Sequence, residues 1–292
     1  MQVVVRMLLM STLALATGPV FSAAPPDPDA LVDRMPAPPK SYAEADKRCG
    51  KVNGQGKTSY VTFQNDPDMQ KLLDEVKKDA DGMADQQKQF MQANMTKLQT
   101  TSMDPNTIQN QAQMTAAMFA ANQKNQATQP DQLATQQLDP IHQTAWNDLN
   151  GVDKQAVDSG NSWQSKYSAC GKLPSFMETG CEKTVQHEAQ SDADDYAKKR
   201  VPIVDKYFTA LGPAWTQYVA EVHKSLANVK LVVPNNVDPD DLHTQIFIMV
   251  NQGQRLQMAQ TAIEKASNAE CPNDLLSDMQ KDYGGVCAGE GC

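Results

Sequence analysis

Between residues 67 and 270 the apolar positions recur in steps of three and four, the period that keeps a stripe on one side of an α-helix. The first run opens at Asp66 and Pro67, an acceptor ahead of a proline at the first helical position, and continues through Met69, Leu73, Val76, Ala80, Met83 and Phe90. Gln87 and Asn94 interrupt it, so a loosened seam is expected there, with the stripe drifting to Met91, Met95 and Leu98. A second helix is predicted from Asp104 and Pro105 through Ile108, Ala112, Thr115, Met118 and Phe119, paired with the first as an antiparallel hairpin. A polar stretch then leads to Pro130. The cleanest stripe follows Asp139 and Pro140, through Ile141, Ala145, Leu149, Val152, Ala156, Trp163 and Tyr167, and delivers Cys170 to a helix end.

Further on, Thr179 and Glu182 have capping-box spacing, and Val185, Ala189, Ala193 and Tyr196 follow at helical intervals. Pro202 is expected to kink or break that helix before it resumes through Val204, Tyr207, Phe208 and Leu211. Gly212 and Pro213 are read as the boundary of another helix carrying Trp215, Val219, Val222, Leu226 and Val229, ended by Pro234. A last long helix is placed from Asp238 and Pro239, with Leu242, Ile246, Met249, Gly253, Leu256 and Ile263 on its stripe and Cys271 with Pro272 closing it. The pattern predicts an all-α protein: an elongated bundle of long amphipathic helices with coiled-coil-like seams over residues 67–270.

The flanks read differently. Arg6 precedes an apolar run from Met7 to Phe21 that is too short to span a bilayer as a mature helix, which predicts a signal peptide over residues 1–23, cleaved after Ser22 or Ala23. Residues 24–66 carry a proline-rich lead (Pro25, Pro26, Pro28, Pro36, Pro38, Pro39), expected to be extended, then one short β segment before Phe63. Residues 271–292 form a cysteine-bearing tail with a short helix up to Tyr283.

Composition narrows the partners. Apolar residues are 40% and aromatics only 6%, with 15 Met, so the core must rest on aliphatic and thioether side chains. The net charge of −9, one unit more negative once Arg6 leaves with the leader, makes nucleic acid and anionic lipid poor partners, because each phosphate contact needs a cation. No later apolar stretch is long enough for a membrane span, and the expected partner is another protein. About a quarter of the residues from Gln86 to Leu138 are Gln, which suits solvated helix faces where an apolar period persists.

Six cysteines, Cys49, Cys170, Cys181, Cys271, Cys287 and Cys292, form an even set in a chain predicted to be exported, where disulfides persist. Cys170 and Cys181 bracket a short segment with Gly171, Pro174 and Gly180, so this pair is expected to close a turn between helices, contributing roughly 2 to 3 kcal/mol. The other four are expected to tie the chain ends in an order the spacing leaves open.

Chemical motifs are incomplete. Gly56, Lys57 and Thr58 resemble the end of a phosphate-binding loop, but its first glycine would fall on Lys51. Asp79, Asp81 and Gly82 imitate a calcium loop whose first and twelfth ligand positions are Lys77 and Lys88. His187 and Glu188 begin like a zinc-protease helix, yet position 191 is Ser. His142, His223 and His243 are scattered, no Gly-x-Ser-x-Gly occurs, and Asp192, Asp194 and Asp195 read as solvated carboxylates. No cofactor or metal is assigned.

Long helices without a chemical motif favour an exported protein-interaction or structural protein, chaperone-like or part of an envelope assembly. A hydrolase whose carboxylates converge only in the fold is the alternative. Copper binding through Met91 with Met95 and Met114 with Met118 is a third reading, against the commoner use of Met as packing material.

Overall fold

The computed structural model describes residues 26–51, 62–63, 66–101, 104–125 and 129–276. The expected signal peptide, residues 52–61, and the tail from position 277 with the expected helix end at Tyr283 and with Cys287 and Cys292 lie outside the described residues. The order is α1 (Pro28–Asp33), α2 (Tyr42–Cys49), β1 (Gly50–Lys51), β2 (Thr62–Phe63), α3 (Pro67–Thr101), α4 (Pro105–Asn125), α5 (Pro130–Gln137), α6 (Asp139–Cys170), α7 (Ser175–Asn228), α8 (Leu242–Glu270) and α9 (Asn273–Leu276). The protein is all-α, a packing of long helices, with β1 and β2 paired antiparallel over two residues each.

Prolines open α3, α4 and α5 as their fixed φ allows. Asp66 accepts from the backbone amides of Asp68 at 2.7 Å and Met69 at 3.4 Å, and Asp104 from that of Thr107 at 3.2 Å, satisfying donors a helix start leaves orphaned. Helix α8 begins three residues beyond Pro239, because Asp241 caps it through the amides of His243 and Thr244 at 3.1 and 3.0 Å. Helix α7 starts at Ser175, ahead of the expected Thr179 box, with Pro174 in the cap position.

Helix α7 also runs unbroken through Pro202 and Pro213. An interior proline costs about 3 kcal/mol, but Val204, Tyr207, Phe208, Leu211, Trp215 and Tyr218 are all buried around these two positions. Each such side chain contributes roughly 1.5–3 kcal/mol or more, so packing outweighs both breaks. One of its partners is α8, which runs antiparallel to it. Tyr207 and Tyr218 donate to the carbonyls of Ala269 and Ala262 at 2.6 and 3.1 Å, and Asn251 donates to Val229 O while accepting from Leu231 N. Burial drives both phenols above their ordinary pKa.

Helix α8 is the axis of the bundle, with α1, α3, α4, α5 and α7 all packed on it. Helix α3 packs chiefly on α8 and not on α4 as a hairpin. Its stripe continues past Met83 through half-buried Gln87, Phe90, Asn94 and Leu98, whereas Met91 and Met95 face outward. On α4 the buried face is Thr107, Met114, Met118 and Ala121, one step round from the predicted one, and Ile108 and Phe119 are exposed. Apolar residues occupy two sides of α4, so its period does not select a face.

The proline-rich lead is not an extended spacer over its described residues. Leu31, Val32 and Met35 beside α1, and Ala45 and Cys49 in α2, are buried in the main core. Pro28 sits in the first turn of α1, so proline here starts a helix.

Candidate functional site

The cysteines organise two corners of the molecule. Cys49 and Cys271 lie at disulfide distance, with Cα atoms 5.8 Å apart, as do Cys170 and Cys181 at 5.6 Å. The residues just before the first pair are Arg48 and Glu270, and both join Asp66: Arg48 bonds Asp66 through Nε, Glu270 through Nη2 and the carbonyl of Ala37 through Nη1 at 2.7 Å. The ends of α2 and α8 and the start of α3 therefore meet around one guanidinium. Burial raises Glu270 to about 8, with Arg48 opposing and Asp66 and Asp68 adding to it. Burial would raise Asp66 too, but Arg48 and two backbone amides outweigh it and hold that carboxyl below its ordinary value. One proton thus resides on Glu270 while Asp66 keeps its charge, as expected for two carboxyls sharing one cation.

The second pair ends a helical hairpin. From the Asp153–Arg200 ion pair at 3.1 Å to Cys170, α6 and α7 run about 26 Å together at 1.5 Å per residue. The buried side chains along this stretch come from these two helices: Ala156 and Ala193, then Cys170, Val185 and Ala189, with Trp163, Tyr167 and Tyr196 packed against them. Asp192 accepts from Trp163 Nε1 at 2.8 Å and from Ser159, so one of the predicted solvated carboxylates instead fastens the hairpin. Asp194 and Asp195 stay on local partners, Gln190 and Lys198. Beyond the disulfide, Phe176 is 84% exposed, Met177 50% and Leu173 39%.

A cleft of about 420 Å³ lies between α5, α6, α8 and α9, with Asp139, His142, Lys265 and Asp274 on a lining that also includes Leu138, Ala269 and Pro272. His142 Nε2 stands 2.9 Å from an Asp274 carboxylate oxygen. This bond raises the imidazole against the opposing effect of burial, and it lowers Asp274. Lys265 pairs with Asp131 at 2.7 Å. Such an arrangement can accept a proton from a bound water and present a cation to developing negative charge.

The other singled-out residues separate. His223 pairs with Asp29 and Asp33, and His187 and Glu188 are exposed on the hairpin. Met91 and Met95 are exposed while Met114 and Met118 are buried, so the four thioethers occupy two environments and the second pair serves as packing. Among the described residues no group of three or more His, Cys, Asp or Glu side chains is placed to hold a metal ion, and no helix is long and apolar enough to cross a membrane. The sequence reading missed the His142–Asp274 pair, whose members are 132 positions apart and share no motif. Comparison with known proteins finds no matching family model, no matching curated protein and no matching solved structure.

Proposed function

We propose that this chain is an exported helical interaction protein that engages a protein partner through the tip of the α6–α7 hairpin. The observation that carries the reading is the exposure of Phe176, Met177 and Leu173 at the end of a two-helix arm stapled by Cys170 and Cys181. Exposed aromatic and Met side chains on a stiff support are common anchors at the centre of protein interfaces. The arm's buried groups are small and few, so its length serves reach better than stability. Two cysteine pairs at disulfide distance support an oxidising compartment. A chaperone-like holder and a component of an envelope assembly both fit this reading.

A photo-crosslinking residue at position 176 is expected to trap one reproducible partner, and the same residue at exposed Lys154 to trap none. Phe176→Ser with Met177→Ser should weaken that association at least tenfold, about 1.4 kcal/mol, with helix content unchanged. Equal trapping at both positions ends the proposal.

The cleft favours a second reading, a hydrolase. Asp274 of α9 meets Asp139 and His142 of α6 there, although 132 positions separate it from His142. If so, His142→Gln lowers kcat/KM on ester, amide or phosphoester substrates about 100-fold with the fold intact, as loss of a general base does. Absence of turnover across such a panel removes this reading.

A further inference from the structure

Helix α1 sits in a seat built by α7 and α8 and fastened through charge. Asp29 accepts from Arg255 Nη2 at 2.6 Å and lies 3.2 Å from His223 Nδ1, while His223 Nε2 lies 2.9 Å from Asp33. These two aspartates are four residues apart on one helical face, and the two ring nitrogens of His223 face one each. Between and after them, Leu31, Val32 and Met35 fill the apolar part of the seat at 4%, 1% and 9% exposure. Gln252 Nε2 donates to the carbonyl of Pro26 at 2.5 Å.

The seat is arranged by the bundle itself. Arg255 is only 6% exposed, and its Nε and Nη1 donate to Leu226 O at 3.2 Å and Gln252 Oε1 at 3.4 Å. The remaining nitrogen faces the occupant. With the seat covered, a nearly buried cation without a carboxylate is strongly unfavourable, so whatever covers Arg255 must bring an acidic group.

Helix α1 is poorly equipped to stay. Six residues are too few for a helix that is stable in isolation. Residues 35–39 after it have no regular structure, and the next covalent anchor is the Cys49–Cys271 pair, so α1 can lift without loosening the end of α2. A further tie, Arg34 to Glu75 on α3, is bidentate at 2.5 and 2.6 Å but exposed on both sides, so solvent and salt screen it.

We propose that the seat of α1 is a docking groove for an acidic amphipathic segment of another protein, occupied in cis by α1. The occupant carries two carboxylates four residues apart on one helical face, with aliphatic side chains at the two positions corresponding to Leu31 and Val32. This groove is independent of the hairpin tip and stands or falls separately from it.

The test uses the chain from residue 24 onward carrying Asp29→Asn and Asp33→Asn, which weakens the occupant and leaves the seat untouched. The probe is a fluorescent peptide of residues 26–36, followed by anisotropy. It should bind this variant at least tenfold more tightly than the unaltered chain. Adding Arg255→Gln to the variant should abolish binding, and a peptide with both aspartates changed to Asn should bind neither chain. No binding to a variant with native circular dichroism, or equal binding of both peptides, overturns the proposal. If the variant loses native dichroism, hydrogen exchange on the unaltered chain decides. Exchange of residues 28–35 at least 100-fold faster than residues 207–226 supports an α1 that leaves its seat, and equal rates overturn it. A concentration-dependent dimer of the variant assigns the groove to a second copy and overturns its assignment to another protein.

Discussion

Cys49→Ser is expected to lower the unfolding free energy by about 5 kcal/mol on the loop-entropy model. The reason is separation: Cys49 and Cys271 are 222 positions apart, so their crosslink removes far more freedom from the unfolded chain than the 11-position Cys170–Cys181 loop does. For the shorter loop the same relation gives about 3 kcal/mol. Both Cys49 and Cys271 are 2% exposed, which predicts that mild reductant reaches them only when the ends of α2 and α8 separate. Urea unfolding of the oxidised chain and of Cys49→Ser measures the difference. A loss below about 1 kcal/mol would mean that the unfolded ensemble already holds these ends together.

The same corner sets the second large effect. Arg48→Met is expected to cost about 3–5 kcal/mol at pH 8, because Glu270 and Asp66 then share a buried site without their cation. At pH 5 the cost is smaller, since Glu270 is neutral in the folded chain. The sign follows from Glu270 being raised from 4.5 to about 8 on folding. Between these values the folded chain holds a proton that the unfolded chain has released, so this group's contribution to stability falls as pH rises through the window. Glu270→Gln should flatten that slope, by at most about 5 kcal/mol between pH 4.5 and 8. Asp66 and Asp274, held below their ordinary values, act oppositely and lose stabilisation only as pH falls through their folded-state values. His142, raised by Asp274, adds its own decline above the ordinary histidine range, so His142→Gln is the control that separates the two basic-side slopes. Parallel pH profiles for the unaltered chain and Glu270→Gln would refute the assignment.

Among the described residues no donor faces Glu270 Oε2, and the neighbouring Asp66 can accept a proton carried there, which fits a carboxyl kept neutral. The corner therefore combines a covalent tie with a protonation-sensitive one across the same two helix ends. Its placement matters for α1 as well, because it anchors the chain after α2 and leaves α1 on the far side of that tie.

Helical class, the starts of α3, α4 and α6 and the hairpin turn were legible in the sequence for a local reason. A 3.6-residue period, a proline at a first turn and a short cysteine spacing are properties of neighbouring residues, and the stripe on α6 reappears with Ala145, Leu149 and Ala156 buried and Ile141, Val152, Trp163 and Tyr167 beside them. Period says less where both sides of a helix are apolar, as on α4, or where polar residues sit in the seam, as Gln87 and Asn94 do on α3. Proline rules also mislead where neighbouring burial exceeds the cost of a lost hydrogen bond, as in α7.

What only the tertiary structure decided is which distant groups meet. Arg48 reaches Glu270 across 222 positions, Arg255 reaches Asp29 across 226, and His142 reaches Asp274 across 132. No local pattern encodes these meetings. They follow from the order in which helices pack around α8, set by the sum of many weak apolar contacts, and the charged groups then find the partners that this packing leaves within reach.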